Sequence, residues 1–416
     1  MTQDPSHLRI KISLYINYFV FAILLNSVGI VILKSQNIYG VDEVAASTLE
    51  LFKDLPIAIV SFLVASFLPR IGYKKAMLIG LLTVALACVV MYFGNSFWTA
   101  KLLFACVGAS FALIKISVYA MIGIVTEGEK EHNSLMSNIE GFFMFGIALA
   151  YFLFPAFNSE SHPDAWLNVY WLLAGLSLAS FAFLWTADFK EDQNLPGVDL
   201  NEDFKQMFLL MTKLLVAVFV MSAFLFVMVE QGIMTWLPTF NDRVLNLSFE
   251  QATMMSSILA ISLGIGRFLA GYLAKFFSWF WILLCCIILT MLVLVFILPQ
   301  AINAAPVEVN SFSDIPIMGY IFPMIGLFIA PIYPLLNSAV LSALPKKVHS
   351  SMAGLIIIFS AIGGSLGSRM IGILFKEVGG DTAFYYTLIP MGLLLVTLII
   401  LYKLTSKQKQ SENAVT

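Results

Sequence analysis

The sequence predicts an all-α membrane protein of twelve spanning helices arranged as two six-helix halves. Composition is the first observation. Hydrophobic residues make up 60% of the 416 residues and charged residues 12%, and the mean hydropathy is +0.91. A soluble domain carries about 25% charged residues, and half that charge cannot cover a water-facing surface of this size. Run length is the second. A bilayer core of about 30 Å needs about 20 mostly apolar residues per helix, and the chain divides into runs of that length. The third is the distribution of Lys and Arg, which switches side from one connection to the next.

In order, the expected spans are 12–34, 46–68, 74–94, 98–126, 134–157, 165–187, 210–237, 250–275, 278–299, 315–343, 351–375 and 382–404. Each run is continuously apolar and does not alternate with period two, which argues against a β-barrel. The first run is too long for a signal peptide, and no small-residue cleavage site follows it. With both termini inside, the inner segments hold Arg9, Lys11, Arg70, Lys74, Lys75, Lys130, Lys190, Lys205, Lys213, Lys275, Lys346, Lys347, Lys403, Lys407 and Lys409. The outer segments hold only Lys34, Lys101, Arg243 and Lys376. This asymmetry predicts cytoplasmic termini and an even number of spans.

The longest inner polar segment follows span six. It divides the chain into an N-terminal half over 1–187, a cytoplasmic linker over 188–209 and a C-terminal half over 210–416. The halves resemble each other weakly. Phe67-Leu68-Pro69-Arg70 ends span two and Tyr272-Leu273-Ala274-Lys275 ends span eight, each before a short turn and another apolar run. Duplicated halves are a common way to build a transporter.

Several chemistries are excluded. The net charge of −2 gives no basic footprint for nucleic acid. No Gly-Lys pair exists, so no phosphate-binding loop of the Walker type is present. Gly363-Gly364-Ser365-Leu366-Gly367 matches a hydrolase nucleophile elbow in letters only; it lies within span eleven, where small residues let helices approach. His7, His132, His162 and His349 all fall outside the spans. Cys88, Cys106, Cys285 and Cys286 sit in apolar runs without metal-ligand or disulfide spacing. The expectation is a non-enzyme with no cofactor and no metal.

The informative residues are the charges inside spans, where one charge costs about 2.5–3.5 kcal/mol on insertion scales unless it is paired or faces a wet cavity. Span two carries Glu50, Lys53 and Asp54; Glu50 and Asp54 share a helix face, and Lys53 can reach Glu50. Span four carries Lys115 near its middle, span five Glu140, span seven Glu230, span eight Arg267 and span eleven Arg369. Snorkelling or helix-end pinning competes with a site role for Glu50, Lys53, Glu140 and Arg267, and an interhelix ion pair competes for Asp54, Lys115, Glu230 and Arg369. Asn26, Gln231 and Asn337 add amides that both donate to and accept from a hydroxylated solute. Trp236 offers a ring that can stack on a sugar face or anchor a span end. Pro323, Pro331, Pro334, Gly354, Gly363, Gly364 and Gly367 are expected to break spans ten and eleven.

Twelve spans, two halves, inside termini and the basic turn Pro69-Arg70-Ile71-Gly72-Tyr73-Lys74-Lys75 resemble the major facilitator superfamily. The turn lacks the acidic residue usual in that superfamily. The resemblance implies a gating role for Arg70, Gly72 and Lys74, and a structural one for Arg267 within Gly264-Ile265-Gly266-Arg267-Phe268-Leu269-Ala270-Gly271. Glu230-Gln231-Gly232-Ile233-Met234-Thr235-Trp236-Leu237-Pro238, Ala330-Pro331-Ile332-Tyr333-Pro334 and Ile362-Gly363-Gly364-Ser365 are most similar to the fucose–proton symporter family. That family's acidic residues of spans one and four fall at Gly29 and Lys115 here, so its carboxylates do not carry over. The proton-coupling candidates are then Glu230, Asp54 and Glu140, since burial raises a carboxyl pKa toward the range a proton carrier uses.

The expectation is a monomeric secondary active transporter in the cytoplasmic (inner) membrane. It moves a small polar solute, a sugar or anionic sugar derivative, with a proton, the solute binding midway between the halves. Lys115, Arg369, Asn26, Gln231, Asn337 and Trp236 are its expected solute contacts. The alternative is an efflux carrier for amphipathic compounds.

Overall fold

The computed structural model describes residues 5–126, 129–159, 161–187, 205, 207, 209–303, 309, 311–342, 344 and 348–413. Among them there is no strand, and eleven helices are long and apolar enough to cross a membrane. The helix Thr48–Ile71 occupies the place of the remaining expected span. The chain forms two compact units. One is Met1–Val41 with Thr48–Leu200; the other is Asp42–Ser47 with Asn201–Thr416. The expected linker over 188–209 lies largely outside the described residues.

In the first unit, span one is α1 (Pro5–Asn26), a break at Ser27, and α2 (Val28–Tyr39). The Ser27 hydroxyl donates to the Leu24 carbonyl at 2.8 Å, so the broken turn is satisfied locally. The remaining helices are α4 (Thr48–Ile71), α5 (Tyr73–Gly94), α6 (Phe97–Val125), α7 (Glu129–Ala156) and α8 (Val169–Trp185). Gly72 starts α5 with φ +89°, a conformation that residues with a Cβ avoid. A capping box of Ser96 and Thr99 starts α6. A Cβ on Gly108 would stand 2.1 Å from the Lys53 carbonyl oxygen, so α4 and α6 meet backbone to backbone.

The second unit begins with the short α3 (Glu43–Ala46), N-capped by Asp42, whose Oδ1 accepts from the Ala45 N–H at 2.7 Å. It continues with α9 (Leu214–Arg243), α10 (Phe249–Leu273) and α11 (Trp279–Leu292). A π-helical turn, Val293–Ile297, joins α11 to α12 (Leu298–Asn303). Span ten is broken as its prolines predict. It runs as α13 (Ile317–Ile321), a 3₁₀ turn at Phe322–Ile325, α14 (Gly326–Ile329) and α15 (Ile332–Ser342). The last helices are α16 (His349–Glu377), α17 (Gly380–Ala383) and, after a 3₁₀ turn, α18 (Leu388–Asn413).

Span eleven departs from expectation: α16 runs unbroken through Gly354, Gly363, Gly364 and Gly367, the glycines expected to break it. Gly363 and Gly367 serve helix contact instead. A Cβ on Gly363 would lie 2.5 Å from the Phe224 carbonyl oxygen, and one on Gly367 2.1 Å from that of Met228. Glycine costs an interior helix about 1 kcal/mol against alanine, and the backbone approach of α9 to α16 offsets it through dispersion contacts.

Candidate functional site

Each unit carries its own intramembrane polar group. In the first unit, Lys115 and Tyr119 are four residues apart on α6, so they share a face. The Tyr119 hydroxyl donates to Glu140 Oε1 on α7 at 3.2 Å. Lys115 Nζ stands 5.8 Å from the centroid of the Phe111 ring, a cation–π arrangement. Lys115 and Glu140 are both exposed and near enough to feel each other's charge. No described carboxylate comes within ion-pairing distance of Lys115. Around them Phe21 and Phe143 flank Phe111, with ring centroids at 5.9 and 6.1 Å, and Tyr18 meets the Phe143 ring edge-on. The result is an open cation on an aromatic wall, with a carboxylate one helix away. Sequence reasoning missed Tyr119 and Phe111. Their i+4 and i−4 spacing to Lys115 was the available signal.

The α4 charges form a buried set. Glu50 is 0% exposed and Lys53 and Asp54 are each 7%. Lys53 pairs with Glu50 and lies 3.5 Å from Asp54. Snorkelling to the interface is therefore not their arrangement. Asn26 donates to the Ala22 carbonyl at 2.8 Å, which uses one of its donors on its own helix. Lys74 donates to the carbonyls of Trp185 and Ala187, capping the end of α8. Gly72 is the positive-φ start of α5, and the side chain of Arg70 lies outside the described residues.

In the second unit Glu230 stands 4.0 Å from Arg267, joining α9 to α10. Tyr333 shares a hydrogen bond with Ser360 at 3.2 Å, lies beside Asn337, and stacks on Phe226 with centroids 5.7 Å apart. Asn337 Oδ1 is buried without a hydrogen-bond partner. Gln231 is half-buried beside Glu230.

Two expected solute contacts are otherwise engaged. Trp236 is 0% exposed. Its Nε1–H donates to the Ser368 carbonyl at 2.9 Å and its hydroxyl at 3.1 Å, and its ring packs against Phe375. No face is open to a sugar; the tryptophan is core. Arg369 donates to the Val44 carbonyl and to Ser47 Oγ. Arg243 pairs with Glu43, and Lys376 with Asp42 at 2.8 Å. Three cations thus hold the segment 42–47. The hydrogen bond from Lys376, helped by the Ala45 N–H, holds the Asp42 carboxyl below the usual carboxylate range.

The sequence profile of the Major Facilitator Superfamily matches residues 14–368. The chain belongs to the major facilitator superfamily. Its fold is shared with the nucleoside transporter NupG, at 14% identity and a TM-score of 0.73, over 97% of this chain and 100% of that one. It is shared with a D-xylose–proton symporter at 13% identity and 0.70, over 95% and 97%. It is also shared with the Escherichia coli fucose:proton symporter at 13% and 0.61, over 95% and 99%. No curated protein sequence matches the chain.

Proposed function

We propose that this superfamily member is a secondary active transporter for a small polar solute, a sugar or an anionic sugar derivative, imported with a proton. The protein would act as a monomer in the cytoplasmic membrane with its termini inside. Lys115 is the observation that carries this reading. It is an exposed residue at mid-span whose ammonium lies over the Phe111 ring and in the field of Glu140, with no ion-pair partner among the described residues. Such a charge is retained in a membrane helix where an aqueous path or an anionic solute meets it. A carboxylate or phosphate supplies the missing counter-charge, and the aromatic wall suits the apolar face of a sugar ring. Asn26, Gln231 and Asn337 are the amide contacts each unit offers. Glu230, Asp54 and Glu140 are the proton-coupling candidates, Glu140 with Tyr119 as its hydrogen-bond donor.

The test is uptake into proteoliposomes of labelled neutral sugars, sugar acids and sugar phosphates, with and without an inward proton gradient. The expected result is gradient-driven uptake of an anionic solute, lowered about tenfold to a hundredfold in Lys115→Ala, the loss of one charge-assisted contact. Unchanged uptake in that variant removes Lys115 from the site. Gradient-independent uptake removes the coupling. Export of amphipathic dyes with no sugar uptake would establish the efflux alternative.

A further inference from the structure

The second unit has an apolar groove of about 320 Å³ that the transport reading does not use. It is walled by α10, α11 and the broken span ten, with Leu273, Phe277, Trp281, Cys285, Leu289 and Phe328 among its lining residues. Its floor follows from the break. A Cβ on Gly326 would lie 2.7 Å from the Leu259 carbonyl oxygen, and one on Gly266 2.6 Å from that of Leu327. These glycines draw α14 onto α10, and a trough remains against α11. Phe277 and Trp281 are each 59% exposed. In a membrane such side chains meet hydrocarbon rather than water.

A cation sits in the chain between two lining residues at one end of the groove. Leu273 and Phe277 lie two residues to either side of Lys275, which is exposed in the turn between α10 and α11. Its ammonium has no partner among the described residues. Ser278, the N-cap of α11, makes no side-chain capping bond, so the first N–H groups of that helix add to the positive end. From the start of α11 at Trp279 to Leu289 is about 15 Å of helix at 1.5 Å per residue. One leaflet's hydrocarbon is about 15 Å deep. The groove is as long as one acyl chain reaches, with a cation where a phosphate belongs.

We infer that this groove binds an anionic phospholipid, one acyl chain lying along α11 and the phosphate on Lys275. The inference stands apart from the transport reading, because it needs no solute and no turnover. Cys285 lines the groove and is an exposed free thiol, so its alkylation rate reports occupancy. The full chain in detergent is titrated with phosphatidylglycerol or phosphatidylcholine of identical acyl chains, and maleimide labelling of Cys285 is followed by peptide mass spectrometry. Phosphatidylglycerol is expected to protect the thiol at about fivefold lower concentration than phosphatidylcholine, the effect of one lysine on an anionic headgroup. Lys275→Gln should abolish that preference and Lys275→Arg restore it. Equal protection by both lipids, or a preference that persists in Lys275→Gln, overturns the inference. So does protection that rises with protein concentration in the absence of lipid, which would place a second copy of the chain on this face.

Discussion

Lys115 and Arg369 are both cations well inside spanning helices, one in each unit, and charge alone does not distinguish them. Their surroundings do. Arg369 spends donors on the Val44 carbonyl and the Ser47 hydroxyl, so it is a fastening within the second unit. Lys115 has an aromatic ring at 5.8 Å and no described carboxylate in ion-pairing range. A membrane-embedded cation whose donors are consumed by backbone is explained by the fold; one whose donors are open calls for something the fold does not supply.

The sharpest way to break this contrast is to remove both charges separately. Lys115→Ala should lower solute uptake about tenfold to a hundredfold and leave thermal unfolding of the purified protein near wild type. Arg369→Ala should do the reverse. It strands an acceptor in the second unit at a cost of about 1–3 kcal/mol, read as a lowered melting temperature with solute affinity retained. If Arg369→Ala loses affinity without losing stability, the two residues belong together after all.

A second comparison is between glycines and side chains on α16. Gly367→Leu forces bulk into the Met228 carbonyl and should cost about 1–3 kcal/mol by overpacking, or more where the helices cannot part. Gly354→Ala is the control, since its nearest neighbours are the end atoms of the flexible Met207 side chain, at 3.2–3.3 Å. Differential scanning fluorimetry of both variants separates backbone contact from mere helix propensity. Trp236→Phe is smaller again. It keeps most of the buried ring and loses the hydrogen bonds to Ser368, about 1 kcal/mol. Loss of solute affinity without loss of stability in that variant would return Trp236 to the site.

The smallest effect is at Asp42. Its carboxyl is held below its ordinary value of 3.8 by Lys376 and the Ala45 N–H. A lowered carboxyl contributes stability above its unfolded-state value and loses it as pH falls through the folded-state value. Asp42→Asn should therefore narrow its difference from wild type only below about pH 4, and salt should shrink that difference at neutral pH. Melting curves from pH 7 to pH 3 at two salt concentrations check both statements.

Much of this architecture could be read from the sequence because a bilayer imposes length and hydropathy on every spanning helix. The prolines at 323, 331 and 334 marked the broken span correctly, since a missing N–H and a ring clash act locally. The glycines of span eleven misled for a related reason. Sequence shows that a glycine is present but not whether it bends its own helix or admits a neighbour, and Gly363 and Gly367 do the latter. The site was less legible. Glu50, Lys53 and Asp54 were found together because they sit within one helical turn or so. Arg369 to Val44 and Glu230 to Arg267 are tertiary pairs, and no spacing encodes them. Trp236 illustrates the same limit, because an aromatic ring suits a core and a sugar equally until its indole N–H is located.

The segment 42–47 belongs by packing to the second unit and by chain order to the first. A polypeptide cut between the six-helix halves would therefore not be cut between the structural units. The C-terminal fragment would leave with Arg243, Arg369 and Lys376 and without Asp42, Glu43, the Val44 carbonyl or Ser47. Swapping halves between related carriers meets the same difficulty, since six residues from one parent must answer three cations from the other. The exchangeable piece is the C-terminal half together with the connection after α2, a unit of inheritance that no single crossover in the gene can deliver.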